Sequence, residues 1–593
     1  MPNEPLLTVD GLSVAFGTGK AAITVVEDVS FAVRRGETLA LVGESGSGKT
    51  LTGKSLLGIL PKGAHISGGS AILNDGNGEC DLLGMSDAQL RKVRGGRVSM
   101  IFQEPMSSLS SLHTVGNQVM EALTLHADCR GKVAKERCLE TFASVGFPDP
   151  ARAFDAYPFE LSGGLRQRAM IAMAMVCRPS LMIADEPTTA LDVTTQATVL
   201  DLIKQLQAET GMSVVMVTHD LGVVANMADS VVVLRKGKVV ESGPARPVLT
   251  TPGHGYTRKL IAAAPEVPDN LDERCDLGTD YIMKATNLSK TYPGKSQGFG
   301  RMTPPVKAVQ DARIMLRRGE TLAVVGESGS GKSTVAKLML QAERPDPGAS
   351  VLFRGADGKE IDVAKLSGSE LIKFRRKVQI VFQDPFSSLS PRMNVRDILT
   401  EPLRVHGVGK GREQRERAAM LMERVGLSAD HLKRFPHAFS GGQRQRICIA
   451  RALALGPEMI VCDEPTSALD VSVQAQVLEL FKEIRDDLNL SYLFISHDLA
   501  VVADLADRVA VMRRGRIIEE GPVKSLFTNP IHPYTQALMA ASPEPDMEKP
   551  LDLAAVARGA GDPHTWEAPF GYDGDDAPGL IEIDPGHFVR KAA

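Results

Sequence analysis

Internal duplication constrains this chain more than any other feature of its sequence. The stretch Arg35–Lys49 returns with few changes as Arg318–Lys332, and Phe102-Gln103 returns as Phe382-Gln383. Three further motifs recur 278 residues later in the same order, at Ser162 and Ser440, Asp185 and Asp463, and His219 and His497. Two such ordered sets indicate two copies of one fold that differ by small insertions near their starts.

The length of 593 residues fits this duplication, because a compact domain usually holds roughly 100–200 residues. We expect a first domain over residues 1–263, a linker over 264–281, a second domain over 282–545 and an irregular C-terminal tail over 546–593. The linker is polar and contains prolines, and the tail has little pattern beyond an acidic patch at Asp573–Asp576. The stretch Pro293–Pro305 is rich in Gly, Pro and Ser and is expected to be a loop insertion.

Composition excludes several classes of protein. The net charge is −4, from 68 basic and 72 acidic residues, which gives no bulk attraction to nucleic acid. The longest apolar run, Ala169–Cys177, is shorter than the roughly 18 residues that a membrane-spanning helix needs. The segment Met1–Asp10 lacks the basic start and apolar core of a secretory signal. The seven cysteines form no CxxC pair, which favours a reducing compartment without disulfides.

Short apolar strands in each repeat lead directly into polar motifs. Thr38–Val42 precedes a glycine-rich loop, Leu181–Ala184 precedes Asp185, and Ser213–Thr218 precedes His219. Nearly continuous apolar strands of this length are typical of a parallel sheet covered by helices on both faces. The sequence therefore predicts an α/β fold with its chemistry at the carboxyl ends of the strands.

Each repeat contains one loop of the form GxxxxGK[ST], which lets the backbone wrap around phosphates at the start of a helix. A flexible glycine turn is the ordinary alternative, but two matches that both follow an apolar strand argue against it. The lysines are expected to contact the β- and γ-phosphates of a nucleotide, and the final Thr or Ser to bind Mg²⁺. The expected phosphate-binding residues are Gly43, Ser45, Gly46, Ser47, Gly48, Lys49 and Thr50, and Gly326, Ser328, Gly329, Ser330, Gly331, Lys332 and Ser333.

Acidic, amide and imidazole side chains complete a hydrolytic set. An Asp at a strand end can hold Mg²⁺ through water, and a Glu after it can polarise the attacking water. A glutamine between these motifs can reach Mg²⁺ or that water, and a histidine in register can contact the γ-phosphate. The expected catalytic residues are Glu186, His219, Glu464 and His497. The expected metal-binding residues are Thr50, Gln103, Asp185, Ser333, Gln383 and Asp463.

A Ser-Gly-Gly motif begins an apolar helical run in each repeat, at Ser162-Gly163-Gly164 and at Ser440-Gly441-Gly442-Gln443. Its hydroxyl and bare N–H groups suit an anion. With this motif, residues 6 to 545 resemble ATP-binding-cassette ATPases. The resemblance implies two tandem P-loop domains, each with a mainly parallel sheet core, an antiparallel β subdomain and an α-helical signature subdomain.

The same resemblance implies how ATP is shared. Two domains of this family face each other head to tail, so the loop at Lys49 would share ATP with Ser440, and the loop at Lys332 with Ser162. Both sites contain every expected residue, so both are expected to hydrolyse ATP. Further nucleotide contacts are implied at Asp192 and Asp470, in Ala-Leu-Asp turns, and at Phe16 and Tyr292, where an aromatic ring stacks on adenine.

A finer resemblance is to the ATPases of bacterial oligopeptide and dipeptide importers. It depends on the residues after Gln103 and Gln383 and on two His-Tyr-Thr segments, Pro252–Thr257 and Pro530–Thr535. It implies an ATP-hydrolysing, energy-coupling subunit with both ATPases fused in one chain, at the cytoplasmic face of the bacterial inner membrane. The implied partners are two integral-membrane permeases and a solute-binding protein, with ATP and Mg²⁺ as ligands and no nucleic acid.

Two questions stay open in the sequence. Only Cys275 follows the first His-Tyr-Thr segment and no cysteine follows the second, so no iron–sulphur cluster is expected.

Peptides, glutathione and nickel complexes all remain possible cargoes. The alternatives are a tandem-cassette ATPase that acts on ribosomes and a cassette ATPase of DNA repair. The first would need a long charged helical linker and the second coiled-coil or zinc insertions, and neither is visible.

Overall fold

The computed structural model describes residues 4–17, 19, 22–103, 108–189, 191–268, 271, 280–294, 304–467, 469–574 and 576–592. Most of the expected linker, including Cys275, and most of the insertion at 293–305 lie outside these residues. The chain divides into two compact units. The first comprises 1–191, 195–264 and 543–553, and the second comprises 192–194, 265–542 and 554–593.

Ten strands of the first unit form two sheets. They are β1 (Pro5–Phe16), β2 (Ile23–Arg34), β3 (Thr38–Val42), β4 (Ala64–Leu73), β5 (Cys80–Asp81), β6 (Val98–Ile101), β7 (Leu181–Asp185), β8 (Ser213–Thr218), β9 (Ser230–Arg235) and β10 (Lys238–Pro244). The smaller sheet is antiparallel with the order β2-β1-β4-β5. The larger has the order β10-β9-β3-β8-β7-β6, and all its pairs are parallel except β9–β10.

Helices of this unit either cover the larger sheet or form a separate layer. They are α1 (Lys49–Leu56), α2 (Asp87–Val93), α3 (Val115–His126), α4 (Gly131–Ser144), α5 (Pro150–Asp155), α6 (Gly163–Met175), α7 (Val193–Thr210), α8 (Leu221–Met227), α9 (Ala245–Thr250) and α10 (Gly255–Ala262). One apolar core lies between the two sheets and includes Leu12, Leu41 and Val217. Another packs α3, α4 and α6 together through residues such as Phe142 and Ile171.

The second unit repeats this plan with a larger sheet. Its strands are β11 (Tyr281–Tyr292), β12 (Val306–Arg317), β13 (Thr321–Val325), β14 (Ser350–Arg354), β15 (Glu360–Asp362), β16 (Val378–Val381), β17 (Met459–Asp463), β18 (Ser491–Ile495), β19 (Arg508–Arg513), β20 (Arg516–Pro522), β21 (Leu580–Asp584) and β22 (His587–Arg590). The antiparallel sheet has the order β12-β11-β14-β15, and the main sheet has the order β16-β17-β18-β13-β19-β20-β22-β21.

The helices of the second unit occur in largely the same order as those of the first unit. They are α11 (Lys332–Met339), α12 (Gly368–Lys377), α13 (Pro385–Ser388), α14 (Val395–Val405), α15 (Gly411–Arg424), α16 (Gly441–Leu453), α17 (Val471–Leu488), α18 (Leu499–Leu505), α19 (Val523–Thr528), α20 (Pro533–Ala540) and α21 (Leu553–Ala560). Apolar cores again form around the sheets, at Leu316 and Val461, and in the helical layer, at Met422 and Ile447.

The central strands explain why the sequence folds this way. Every residue of β3, β7, β8 and β13 is buried, as expected for parallel strands covered on both faces. The predicted α/β class, with a parallel core, an antiparallel subdomain and a helical signature subdomain, is confirmed in both units. In the described part of the chain, no helix combines the length and the apolar character needed to cross a membrane.

The prediction of an irregular C-terminal tail is wrong. Helix α21 and the hairpin β21–β22 lie in this segment, and β22 pairs with β20 to extend the main sheet of the second unit. Trp566, Val589 and Arg590 are buried there. The strands were missed because each is short and the acidic patch beside them resembles a solvated segment. Residues 543–553 belong to the first unit, where the Leu551 amide donates to Asn226 Oδ1 at 3.1 Å.

Candidate active site

The glycine-rich loop of the first unit runs from the end of β3 into α1. At Gly43 (φ 153°), a Cβ would lie 2.2 Å from the carbonyl oxygen of Leu234, so only glycine allows the loop to pass this close to β9. Lys49 is buried, and its Nζ donates to the carbonyls of Gly43 and Glu44 at 2.6 and 3.1 Å. The ammonium group is therefore held against the backbone of the loop.

The corresponding loop of the second unit has the same geometry. A Cβ at Gly326 would lie 2.0 Å from the carbonyl oxygen of Met512. Lys332 Nζ donates to the carbonyls of Gly326 and Glu327 at 2.7 and 2.8 Å. Burial lowers the pKa of Lys332. Nearby carboxylates, of which Glu464 contributes most, raise this pKa but offset the effect of burial only in part. A buried ammonium group with two carbonyl partners retains capacity for a third, anionic partner.

Both loops fit a phosphate ligand with a divalent cation. Ser47 Oγ and Ser330 Oγ are buried, and neither has a hydrogen-bond partner among the described residues. Buried hydroxyls without partners are rare, and a loop of exposed amides that surrounds them suits phosphate oxygens. Thr50 Oγ1 donates to Asp185 Oδ1 at 2.9 Å, and Ser333 Oγ to Asp463 Oδ1 at 3.0 Å. Hydroxyl and carboxylate oxygens are ligands that Mg²⁺ prefers.

The glutamate after β7 is the centre of a hydrogen-bonded cluster. Glu186 adopts φ 47°, a conformation that non-glycine residues rarely take, and its amide donates to the carbonyl of Val217 at 2.9 Å. Its Oε2 accepts from Gln103 Nε2 at 2.7 Å and from Thr189 Oγ1 at 2.9 Å. Its Oε1 lies 3.0 Å from His219 Nδ1. The strained backbone thus turns the carboxylate toward three side chains.

Electrostatics in this cluster favour an ion pair. Burial opposes ionisation of Glu186, but the hydrogen bond and charge of His219 outweigh it and lower the pKa to about 2. Burial also opposes protonation of His219, but Glu186 outweighs it and raises the pKa of the imidazole. Burial raises the pKa of the adjacent Asp185, which the hydrogen bond from Thr50 only partly offsets. Neighbouring carboxylates therefore differ in their charge environment.

The second unit contains the same cluster around Glu464. This residue adopts φ 46°, and its Oε2 accepts from Gln383 Nε2 at 2.8 Å. His497 Nδ1 lies 3.2 Å from the same oxygen. Burial opposes both charges, yet the contact with His497 lowers the pKa of Glu464, and the contact with Glu464 raises the pKa of His497. Burial raises the pKa of Asp463. Both halves therefore bring the predicted catalytic residues together.

The signature residues have a different local role. Ser162 and Ser440 are the N-cap residues of α6 and α16, and their hydroxyls accept from the amides of Leu165 and Gln443, each at 3.4 Å. Gln443 Oε1 in turn accepts from the Ser440 amide at 3.1 Å. Within its own unit, each signature motif therefore caps its helix and leaves the following glycine amides at the helix start.

The remaining predicted contacts are positioned by strand ends and turns. Phe16 and Tyr292 are the last residues of β1 and β11. The Tyr292 hydroxyl donates to Glu343, and Lys290 Nζ lies 5.5 Å from its ring centroid. Asp192 Oδ1 accepts from Thr194 Oγ1 at 2.8 Å, and Asp470 is the N-cap residue of α17. None of these contacts tests the predicted binding to adenine or to ATP.

Sequence reasoning missed three side chains that touch the predicted site. Thr189 donates to Glu186, as described above. The phenol oxygens of Tyr256 and Tyr534 accept from the loop amides of Glu44 and Glu327, at 3.3 and 3.0 Å. Both tyrosines belong to the repeated His-Tyr-Thr segments, so the repetition itself indicated that they matter. Their position against the P-loop depends on how α10 and α20 pack, which no local pattern reveals.

Comparison with known protein families agrees with this geometry. The family described as "ABC transporter" matches residues 26–189 and 309–467. This chain belongs to that family. The description "Oligopeptide/dipeptide transporter, C-terminal region" matches residues 240–282 and 518–565, which include the two tyrosines against the P-loops. The chain is thus an ATPase of the ABC transporter family, of the oligopeptide and dipeptide transporter type, with two nucleotide-binding cassettes in tandem.

Individual relatives match along the whole length. The glutathione import ATP-binding protein GsiA of Salmonella paratyphi A is 42% identical over 620 residues, covering 100% of this chain and 97% of that protein. GsiA of Escherichia coli strain K12 is 43% identical, covering 92% and 91%. A dimeric ATP-binding cassette solved with ADP and Pi is 29% identical, covers 41% of this chain and 99% of its own, and gives a TM-score of 0.36. The family match leaves the ribosomal alternative without support.

Proposed function

We propose that this chain binds ATP at two composite sites and uses its hydrolysis to drive import of a glutathione-like or peptide solute. The observation that carries the proposal is the repeated cluster of Glu, His and Gln beside a P-loop, complete in both units. The names of the relatives and the two matches to the transporter C-terminal region support the direction and the class of cargo.

The P-loops would hold the nucleotide phosphates. The buried lysines, Lys49 and Lys332, carry the charge that a β- or γ-phosphate needs, and the loop amides and serine hydroxyls supply hydrogen bonds. Mg²⁺ would be held by Thr50 and Asp185 in one unit and by Ser333 and Asp463 in the other, with Gln103 and Gln383 in reach. When bound, Mg²⁺ neutralises charge that develops on the transferred phosphate.

The glutamates would orient the attacking water. With a pKa of about 2, the Glu186 carboxylate is ionised throughout the neutral range, so it can accept a hydrogen bond from water at all relevant pH values. A strong general base would need a pKa near the working pH, so this carboxylate polarises and positions the water. His219, Gln103 and Thr189 already donate to it, and because a carboxylate can accept about four hydrogen bonds, it retains capacity for one from water. Gln103 and Thr189 are the exposed members of this set.

Each ATP would contact both halves. We propose that the P-loop at Lys49 works with the signature at Ser440, and the P-loop at Lys332 with Ser162. The glycine amides after each capping serine would donate to the γ-phosphate, since a helix start favours negative charge. An ATP that touches both halves shifts them toward a closed arrangement, and hydrolysis removes that preference. Asp192, Asp470, Phe16 and Tyr292 are proposed as further nucleotide contacts.

Partners and location follow from the proposed role. Two membrane permeases and a solute-binding protein would supply the path, with the segments after Gln103 and Gln383 passing motion to the permeases. The chain would then lie at the cytoplasmic face of the inner membrane as a peripheral subunit. Its surface carries no net positive charge that would favour nucleic acid.

One experiment tests both catalysis and cargo. Uptake of labelled glutathione and of labelled dipeptides would be compared in cells lacking the chain, with the native chain restored or with Glu186→Gln and Glu464→Gln together. The double variant should bind ATP normally, lose roughly 10²-fold or more of its turnover, and fail to restore uptake. Retained ATPase activity would exclude the assigned glutamates. Normal turnover of the native chain with neither solute imported would exclude the proposed cargo class.

A further inference from the structure

Arg513, the last residue of β19, lies directly beside the second P-loop and is 3% exposed. Its guanidinium donates to three carbonyls at the end of α21 in the C-terminal segment. Nη1 donates to Gly559 at 3.1 Å, and Nη2 donates to Ala560 at 2.7 Å and to Gly561 at 2.5 Å. A cation is favoured at the C-terminal end of a helix, where carbonyls lack partners.

Aromatic rings enclose the same guanidinium. Its carbon lies 4.6 Å from the ring centroid of Tyr534 and 4.7 Å from that of Trp566. Trp566 Nε1 also donates to the carbonyl of Gly559 at 3.1 Å, so this carbonyl accepts hydrogen bonds from both Arg513 and Trp566. Trp566 is 6% exposed and is the only tryptophan of the chain. The C-terminal segment therefore forms a binding pocket for the Arg513 guanidinium, made of the carbonyls of residues 559–561 and the ring of Trp566, and we call this pocket the seat.

This seat is connected to the P-loop through Glu327. Arg513 Nε lies 3.7 Å from Glu327 Oε1, and the hydroxyl of Tyr534 accepts from the Glu327 amide at 3.0 Å. The carbonyl of Glu327 accepts from Lys332 Nζ at 2.8 Å. Side chain, amide and carbonyl of one loop residue are thus each held by a different group. Movement of the seat would change the shape of the loop.

The first unit provides the internal comparison. Arg235 corresponds to Arg513 and stacks on Tyr256 at 4.7 Å, and Tyr256 accepts from the Glu44 amide at 3.3 Å. Arg235 is exposed, however, the chain has a single tryptophan, and no counterpart of the helix that holds Arg513 lies beside Arg235 among the described residues. The two P-loops therefore share a tyrosine contact but differ in what holds the arginine beside it.

We propose that the C-terminal segment Ala554–Ala593 positions the second P-loop through Arg513, so that nucleotide affinity at this loop depends on a contact for which the described part of the chain shows no counterpart at the first loop. Arg513 is a positioning residue in this role, because it acts through Glu327 and Tyr534. The proposal depends on the assignment of both P-loops to nucleotide binding. It makes the second site the one that changes in the C-terminal segment can tune.

Affinity measured at one site at a time tests the proposal. A fluorescent ADP analogue would be titrated into full-length chains in which Lys49→Ala leaves only the second site, or Lys332→Ala only the first. Arg513→Ala should weaken the second site about 10-fold, which corresponds to the loss of about 1.4 kcal/mol, and change the first by less than about 2-fold. The matched variant Arg235→Ala should weaken the first site by less than about 3-fold. Equal weakening at both sites, or none at the second, would overturn the proposal.

A conservative variant and a native reporter separate positioning from folding. Arg513→Lys keeps the charge but replaces the planar guanidinium fork with a compact ammonium group that cannot reproduce the same carbonyl and ring contacts, so its affinity should lie between those of the native and alanine chains. In the native chain, emission from Trp566 should change when ADP fills the second site, persist with Lys49→Ala and vanish with Lys332→Ala. Unchanged emission at saturation would reject the proposal even if Arg513→Ala failed to fold. Failure of Lys332→Ala to alter binding would instead reject the site assignment.

Discussion

The two units share their proposed catalytic clusters and differ at one edge of the main sheet. In both, the glutamate after β7 or β17 has a left-handed backbone and contacts a histidine and a glutamine. At the edge, β10 is the outermost strand of the first sheet, whereas β20 is covered by β22. The chemistry is therefore duplicated, and the packing that surrounds it is not.

Side chains near these edges differ in the same way. In the first unit a cavity of about 720 Å³ lies beside β10, with Glu37, Ser230 and Ser242 in its wall, and Ser230 Oγ donates to Glu37 Oε1 at 2.5 Å. In the second unit Arg508 replaces that serine and pairs with two buried glutamates, Glu320 and Glu520. The proposed active-site residues are thus nearly the same in the two halves, while the outer edges differ, and the second one contains a buried ionic network.

The largest effect that can break this comparison is on hydrolysis. Glu186→Gln and Glu464→Gln, made singly, should each reduce hydrolysis at their own site by roughly 10²-fold or more, because each removes the carboxylate that positions water. The histidine and glutamine contacts that both glutamates share predict losses that agree within about 2-fold. Single-turnover hydrolysis of labelled ATP, with binding measured in parallel, checks this. If one site did not hydrolyse ATP, the substitution in that half would have no effect on hydrolysis. This result would contradict the expectation that the two halves are equivalent.

Stability should distinguish the halves at Arg508. Arg508→Ser copies the first unit into the second and leaves Glu320 and Glu520 buried without their partner, so we expect a loss of about 3–5 kcal/mol. Burial raises the pKa of Glu520, and removal of the guanidinium raises it further. The midpoint of thermal unfolding of the second unit measures the effect, since a chain of two units need not unfold in one step.

Two controls sharpen that result. Ser230→Ala removes a single hydroxyl from the first unit and should cost less than about 1.5 kcal/mol. Adding Glu520→Ser to Arg508→Ser removes one of the stranded carboxylates and should restore part of the lost stability. If the double variant were less stable than the single one, the buried pair would not be the cause.

Much of the fold followed from the sequence because its determinants are local. Runs such as Leu181–Asp185 are apolar at every position but the last, which predicts a covered parallel strand with its functional residue at the end. Gly43 and Gly326 indicated phosphate loops because the spacing to the lysine is fixed by the chemistry of phosphate binding. The proposed catalytic residues could therefore be named without coordinates.

Other features depend on contacts between distant segments. The hairpin β21–β22 is ordered because β22 pairs with the edge strand β20. In addition, His587 Nε2 lies 2.9 Å from Glu519 Oε1, which is 68 residues away in the sequence. Nothing near Leu580 or His587 indicates that partner. Thr189 likewise lies in an ordinary turn until Glu186 is placed beside it. Packing partners of this kind are beyond what periodicity and spacing encode.

A smaller effect should appear in the pH dependence of stability. Glu186 has a lowered pKa, so its contribution is present above its ordinary value of 4.5 and is lost as the pH falls toward 2. His219 has a raised pKa, so its contribution is full below 6.5 and is lost as the pH rises through the raised value. Both are complete between about pH 4.5 and 6.5. Because the imidazole is 37% exposed, we expect only about 0.5–1 kcal/mol.

His219→Gln and His497→Gln allow this to be measured in each half. The advantage of the native chain in thermal midpoint should be largest near pH 6 and should shrink by pH 9, and the two substitutions should behave alike. A native advantage that grows with pH would mean that the imidazoles are neutral in the folded chain. A response from only one histidine would mark a difference between the two clusters.

The smallest expected difference between the halves concerns the tyrosines behind the P-loops. Tyr534→Phe keeps the ring that stacks on Arg513 but leaves the Glu327 amide without its acceptor, which should weaken ADP binding at the second site by about 1 kcal/mol. Tyr256→Phe removes a longer hydrogen bond, 3.3 Å instead of 3.0 Å, at a less completely buried phenol, so its effect on the first site should be smaller. Titrations in the Lys49→Ala and Lys332→Ala backgrounds provide both values. If Tyr256→Phe were the more damaging of the two, the first loop would depend more on its tyrosine than the second loop does, because the second loop is also held through Arg513.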